Sequence, residues 1–411
     1  MVKDKKPREP WQTNLGFMLL GLMNNFSYVI GISAAIDIVE KEFPKSIVLL
    51  CDIGPGFLIS FIYPFFHQYF NIKIVAFVIS LFGVLGYILA GLSATYGKAI
   101  GLCGVICFSC QIGNEGPSLA HSGKFLPDCT SSFCIGMGIA GLLGAGGYAL
   151  LTSVFHIEYQ IILYSFCPLP LLLNLGVWLT FRKPSVKLQL ELEAQQSNVQ
   201  NTNVEEITEV SSNLSVSGIT ERDNVEEPKT AEVDYTSIKE KGKTVKHNLL
   251  CFVSLWSVYV FQYTTTTGVN PTLIFGGEEK TYYRVAAFAI RIGNLIGRTS
   301  ILYYTFPYWS LAVFSAACLC LFVLFVLQSL YRFITSIWIM LAICPLIGFC
   351  SGVIYSDTMT WVQKRNLHPN QRSYGLAVAG MCTNLGVICS SLIGSGVEIL
   401  LKKAHPGDWI Q

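Results

Sequence analysis

The chain has 411 residues, of which 52% are hydrophobic and 13% are Asp, Glu, Lys or Arg. Lys and Arg total 28 against 26 Asp and Glu, a net charge of +2, which excludes a strongly basic nucleic-acid binder and a highly charged disordered chain. A soluble fold of this length would need about twice that charged fraction, so a polytopic membrane protein fits best, and the span-length apolar runs below make it all-α.

Residues 1–12 form a basic tail with Lys3, Lys5, Lys6 and Arg8. The first apolar run that follows is as long as a span and lacks a small-residue cleavage site, so it reads as a retained first helix. Six apolar runs, near 15–36, 47–66, 74–92, 100–111, 134–155 and 161–181, make an N-terminal lobe over residues 13–181. The fourth is short unless it continues past Asn114-Glu115. Between Arg182 and Lys246 lie 21 of the 54 charged residues. This insert, taken as 182–247, is rich in Glu, Asn, Ser and Thr and is expected to be disordered. Five more runs, near 249–266, 285–304, 309–327, 333–355 and 375–401, make a C-terminal lobe over 248–401, with 402–411 as a tail. About 11 transmembrane helices in all are expected. A cytosolic N-terminus places 18 Lys and Arg on the cytosolic side and seven on the other, which supports that orientation. Most of the 14 cysteines sit in apolar runs and read as small packing residues. Two lobes joined by a long insert is the plan of a secondary transporter.

The first span carries Leu19-Leu20-Gly21-Leu22-Met23-Asn24-Asn25-Phe26-Ser27-Tyr28-Val29, followed by Ser33-Ala34-Ala35-Ile36-Asp37-Ile38. With Leu49-Leu50-Cys51-Asp52-Ile53, Leu102-Cys103-Gly104-Val105 and Gly141-Leu142-Leu143-Gly144-Ala145, this resembles the battenin family of lysosomal and vacuolar membrane proteins. The resemblance covers residues 14–150 well and is looser beyond. Gln262 stands where the family has an acidic residue before Tyr263, and Asn384 replaces an Asp, so two acidic positions are neutral here. Gly297-Arg298-Thr299-Ser300 is similar to a family Ser-Arg-Ser-Ser. The resemblance implies a major-facilitator-like two-lobed helix bundle. It also implies a place in endolysosomal membranes and roles in lysosomal pH balance, basic amino-acid handling and clearance of glycerophosphodiesters.

Ionisable groups at membrane depth are costly and are the first candidates for function. Arg284, Arg291 and Arg298 are spaced by seven and share one helix face. Facing a cavity they would suit an anion, because guanidinium forks match phosphate oxygens. The bland alternative lets Arg284 and Arg298 reach opposite interfaces, leaving Arg291 as the residue that cannot escape. Asn24, Ser27 and Tyr28 lie on one face of the first span and either line a cavity or lock helices together. With Gln262 they complete the expected substrate-binding set, and Tyr263, Asn294 and Asn384 are weaker candidates. Asp52 and Glu115 are the expected proton-coupling carboxyls, each with an interfacial charge as its alternative. His121 reads as a loop histidine. Gly136-Met-Gly138-Ile-Ala-Gly141 fits a nucleotide pattern formally, but inside a span it reads as helix packing. Tyr235-Thr236-Ser237-Ile238 resembles a tyrosine-based sorting signal for cytosolic adaptors.

Three functions compete. The first is a secondary transporter of a small polar or anionic solute, an equilibrative nucleoside-type carrier being a variant that the Asn-Asn-Phe-Ser-Tyr run argues against. The second is a non-transporting scaffold or regulator that kept the fold, favoured by the neutral Gln262 and Asn384. The third is a membrane enzyme, disfavoured because no zinc motif and no nucleophile elbow is present. No cofactor, metal or nucleic-acid partner is expected; the partners are a solute, the lipid bilayer and sorting adaptors.

Overall fold

The structure is a computed structural model that describes residues 9–39, 45–66, 69–181, 237–275, 279–366 and 368–404. Every regular element among its described residues is helical, as apolar segments must be where no water satisfies the backbone. The first lobe holds α1 (Trp11–Val39), α2 (Lys45–Phe66), α3 (Ile72–Tyr96), α4 (Lys98–Ile112), α5 (Glu115–Ser122), α6 (Pro127–Ser153), α7 (Tyr159–Phe166) and α8 (Leu172–Thr180). After the insert come α9 (Ile238–His247), α10 (Leu249–Thr264), α11 (Glu279–Thr299), α12 (Ser310–Tyr331), α13 (Ile337–Arg365) and α14 (Pro369–Ala404).

Local sequence sets the breaks. Asn71 caps α3 by accepting from the Lys73 N–H, and Gly97, at φ +102°, turns α3 straight into α4. The fourth run does continue: α4 breaks at Gly113-Asn114 and resumes as α5. Pro168 and Pro170 break the sixth run between α7 and α8. Beyond α10 the hydroxyls of Thr265, Thr266 and Thr267 bond back to carbonyls four residues earlier, and the helix widens into a π turn, Thr265–Val269, before Pro271.

Each of the eleven apolar runs coincides with a helix or a broken helix. By length and composition, seven of these would cross a membrane: α3, α6, the α7–α8 pair, most of α11, α12, α13 and α14. Outward faces carry Phe61, Phe77, Trp178, Val313 and Leu392, all exposed, as a lipid-facing surface requires. Two expectations change. α13 runs ten residues past the expected end at Tyr355, carrying Ser356-Asp357-Thr358 into the interior. Residues 238–247 of the insert are helical rather than disordered, because Ser237 caps α9 and Thr244 is buried in its packing against α14. Residues 182–236 lie outside the described residues.

Packing follows one scheme twice. In the first lobe α1 packs on α6 and α2 on α4; in the second α10 packs on α14 and α11 on α13. The lobes meet where α2 touches α14 and α6 touches α11 and α13. Glycine makes the closest approaches. A Cβ on Gly21 of α1 would run into the Phe133 carbonyl of α6, and one on Gly136 of α6 into the Met18 carbonyl of α1. The glycine-rich stretch is thus a helix seam.

Candidate functional site

A central cavity of about 40 Å³ lies between the lobes, enough for about three waters. Asn24, Asn25 and Tyr28 reach it from α1, Ile53 from α2, Glu115 from α5 and Met137 from α6. From the second lobe come Tyr259, Gln262 and Tyr263 of α10, Arg291, Asn294 and Arg298 of α11, and Thr383, Asn384 and Val387 of α14. The expected Asn24, Tyr28, Glu115, Gln262, Arg291 and Arg298 are therefore brought together, and the weaker candidates Tyr263, Asn294 and Asn384 join them.

Arg298 does not reach an interface; it is buried and held on every side. Its Nε donates to Asn294 Oδ1 at 2.7 Å, its Nη2 to Tyr259 Oη at 2.9 Å and its Nη1 to the Cys134 carbonyl at 3.4 Å. The guanidinium also lies 3.9 Å from the centre of the Tyr355 ring. Asn294 is fixed in turn by donating to Ser351 Oγ at 2.9 Å.

Glu115 is buried at the lobe interface, not at a cytosolic helix end. Its Oε1 accepts from Tyr355 Oη at 2.8 Å and its Oε2 from Thr383 Oγ1 at 3.1 Å. α5 carries it there because Gly116 packs directly against Gly380 of α14. Tyr355 Oη also lies 2.9 Å from Met137 Sδ.

Arg291 sits one heptad from Arg298, about 10 Å along the helix. Its guanidinium lies 5.9 Å from the Tyr263 ring centre, and Tyr28 faces the same tyrosine. Among the described residues no carboxylate is paired with Arg291; its charged and polar neighbours are Tyr263, Tyr28 and Arg298. One cavity thus holds a bound arginine, an arginine without an acidic partner and a buried carboxyl.

The remaining candidates lie elsewhere. Ser27 does not line the cavity; it accepts from Tyr87 Oη at 3.1 Å and locks α1 to α3, because it faces the lobe core rather than the partner lobe. Asp52 is buried against Gly31 of α1, and among the described residues neither of its oxygens has a hydrogen-bond partner. His121 lies within α5, not in a loop: its Nε2 is 3.0 Å from Thr180 Oγ1, and its ring packs beside Phe17 and Phe125. The Arg284 side chain and Tyr235 lie outside the described residues, and Ile238 opens α9 fully exposed. The 14 cysteines are free. Tyr259, Tyr355 and Thr383 escaped the sequence reading. The polar run Tyr355-Ser356-Asp357-Thr358 could have signalled Tyr355 had the tenth run been extended through it; nothing in the sequence singles out Tyr259 or Thr383 for the site.

A family model described as CLN3 protein matches residues 15–404. Protein BTN1 of Candida glabrata is 27% identical over 399 residues, 93% of each chain. Protein BTN1 of Kluyveromyces lactis is 29% identical over 402 residues, 95% of each chain. Among solved structures, the human organic anion transporter MFSD10 superposes with a TM-score of 0.55 at 12% identity, covering 97% of this chain and all of its own. The fold is that of major-facilitator transporters.

Proposed function

The chain belongs to the CLN3, or battenin, protein family, and we propose that it is a secondary transporter of a small anionic solute in the lysosomal or vacuolar membrane. Arg291 carries this reading: it stands in the central cavity, and among the described residues no carboxylate pairs with it. A cation facing a cavity at membrane depth favours an anion that enters beside it. Arg298, Asn24, Tyr28 and Gln262 complete the binding wall. Glu115, and Asp52 behind the wall, are the groups to exchange protons with it. The solute is of the glycerophosphodiester or amino-acid class, and its movement contributes to lysosomal pH and metabolite balance. Eleven spans, with the N-terminus and the insert cytosolic, fit the Lys and Arg distribution. Tyr235 and Ile238 would then serve sorting adaptors.

The test is uptake of glycerophosphodiesters and amino acids into liposomes holding the purified chain. Arg291→Ala is expected to abolish flux while the protein still elutes as a folded species. Flux unchanged in that variant overturns the assignment. A second reading, a non-transporting regulator, draws on the neutral Gln262 and Asn384 in the cavity wall. Folded wild-type protein that moves nothing across the panel would establish it.

A further inference from the structure

The two halves of the charge system, Glu115 and Arg298, are not paired directly among the described residues. One side chain joins them. Tyr355 lays its ring on the Arg298 guanidinium and gives its hydroxyl to Glu115 Oε1. It is fully buried on α13, whereas Arg298 is on α11 and Glu115 on α5, across the lobe interface. A phenol over a guanidinium is a stronger hydrogen-bond donor, because the cation draws electron density from the ring. The same hydroxyl has a second place to go, Met137 Sδ at 2.9 Å.

We propose that Tyr355 is the positioning residue that ties proton occupancy of Glu115 to the charge at Arg298. This rests on the transport reading for its purpose, not for its test. An ionised Glu115 accepts two bonds, from Tyr355 and Thr383. A protonated Glu115 must turn one oxygen into a donor. The Tyr355 hydroxyl then relaxes toward Met137, and Arg298 loses the negative charge it had been facing through the ring. The cavity becomes more positive by one charge and accepts an anion more readily, so proton and anion bind together. The groups that face the carboxyl are Tyr355 of α13, Thr383 of α14, Arg298 of α11, Tyr259 of α10 and Cys134 of α6. Of these, Tyr355 alone contacts both charged partners.

The experiment is a solute-free infrared titration of the purified full chain, following the carbonyl band of the protonated Glu115, which Glu115→Gln identifies by removing it. Tyr355→Phe keeps the ring on Arg298 and deletes only the hydroxyl. Its Glu115 band is expected to persist to higher pH by about one unit, the weight of one bond to a charged group. Thr383→Val, which also deletes one bond to Glu115, serves as the comparison. In it the midpoint must still respond to Arg298→Gln, whereas in Tyr355→Phe that response must shrink. A midpoint unmoved by Tyr355→Phe, or an Arg298→Gln response equal in both backgrounds, overturns the proposal. If the pattern appears and no solute flows in liposomes, the transport reading fails and this linkage stands.

Discussion

Arg298 makes three hydrogen bonds in three directions and stacks on a ring, so its charge is less decisive than its planar fork. An ammonium at the same place can keep the charge and satisfy part of the wall, leaving Tyr259 Oη or the Asn294 amide oxygen buried and unpaired. Arg298→Lys is therefore expected to cost about 1–3 kcal/mol of stability, read by thermal unfolding in detergent, and to cut flux by about tenfold or more. Ser27→Ala separates packing from chemistry. It strands the Tyr87 hydroxyl, buried in the first lobe, and should cost about 1–3 kcal/mol; the apparent KM for the solute should not move, because Ser27 lies off the cavity. Charged site residues were legible in the sequence for a simple reason: Arg291, Arg298 and Glu115 are out of place in apolar runs. Tyr355 and Thr383 were not, because tyrosine and threonine are unremarkable in a span and only the fold shows which partner they meet.

Helix pairs explain why so many glycines are spread through the chain. α11 and α13 cross with Gly293 and Gly297 on one side and Gly348 and Gly352 on the other, each pair four residues apart. A Cβ on Gly293 would run into the Pro345 carbonyl, and one on Gly348 into the Ile290 carbonyl. Backbone leaves no slack, and the same crossing positions Arg298 and Tyr355, so a forced separation damages fold and site together. Gly293→Ala should lower the melting temperature and broaden the elution profile in detergent; Gly396→Ala, with nothing within 4 Å of the new carbon, should change neither. Apolar runs predicted the helices well, because a span must satisfy its own backbone wherever it lies. Their ends were less visible. α13 continues through Ser356-Asp357-Thr358 because the interior receives those groups: Asp357 Oδ2 accepts from the Phe306 N–H at 3.3 Å and Ser356 Oγ donates to the Arg298 carbonyl at 3.2 Å. α9 was hidden by its charge, since Lys and Glu fill its outer face while a few residues dock on α14.

At the scale of the molecule, α1 pairs with α6 as α10 does with α14, and α2 with α4 as α11 does with α13, and the cavity is lined from both of these repeated units. The lobes also meet in the exchanged way, α2 on α14 and α6 on α11. The two ends of this interface differ. At one end Gln363 Nε2 of α13 donates to Thr130 Oγ1 at 2.5 Å and to the Ser122 carbonyl at 3.3 Å. There Gly123 abuts the Ser373 backbone, and Lys241 of α9 donates to the Phe65 carbonyl of α2 at 3.1 Å. Toward the other end Gly396 of α14 faces open space. With a cytosolic N-terminus the fastened end is cytosolic, and the transport reading requires the cavity, too small here for a metabolite, to widen by releasing it. Thr130→Cys with Gln363→Cys, in a thiol-depleted background, places one thiol on each side of that fastening. Bridging them with a short reducible cross-linker is expected to stop uptake, and reduction to restore it, while the single-cysteine proteins treated alike keep transporting. Uptake that continues through the bridge would show that the lobes do not part there, and the carrier would have to open by another route.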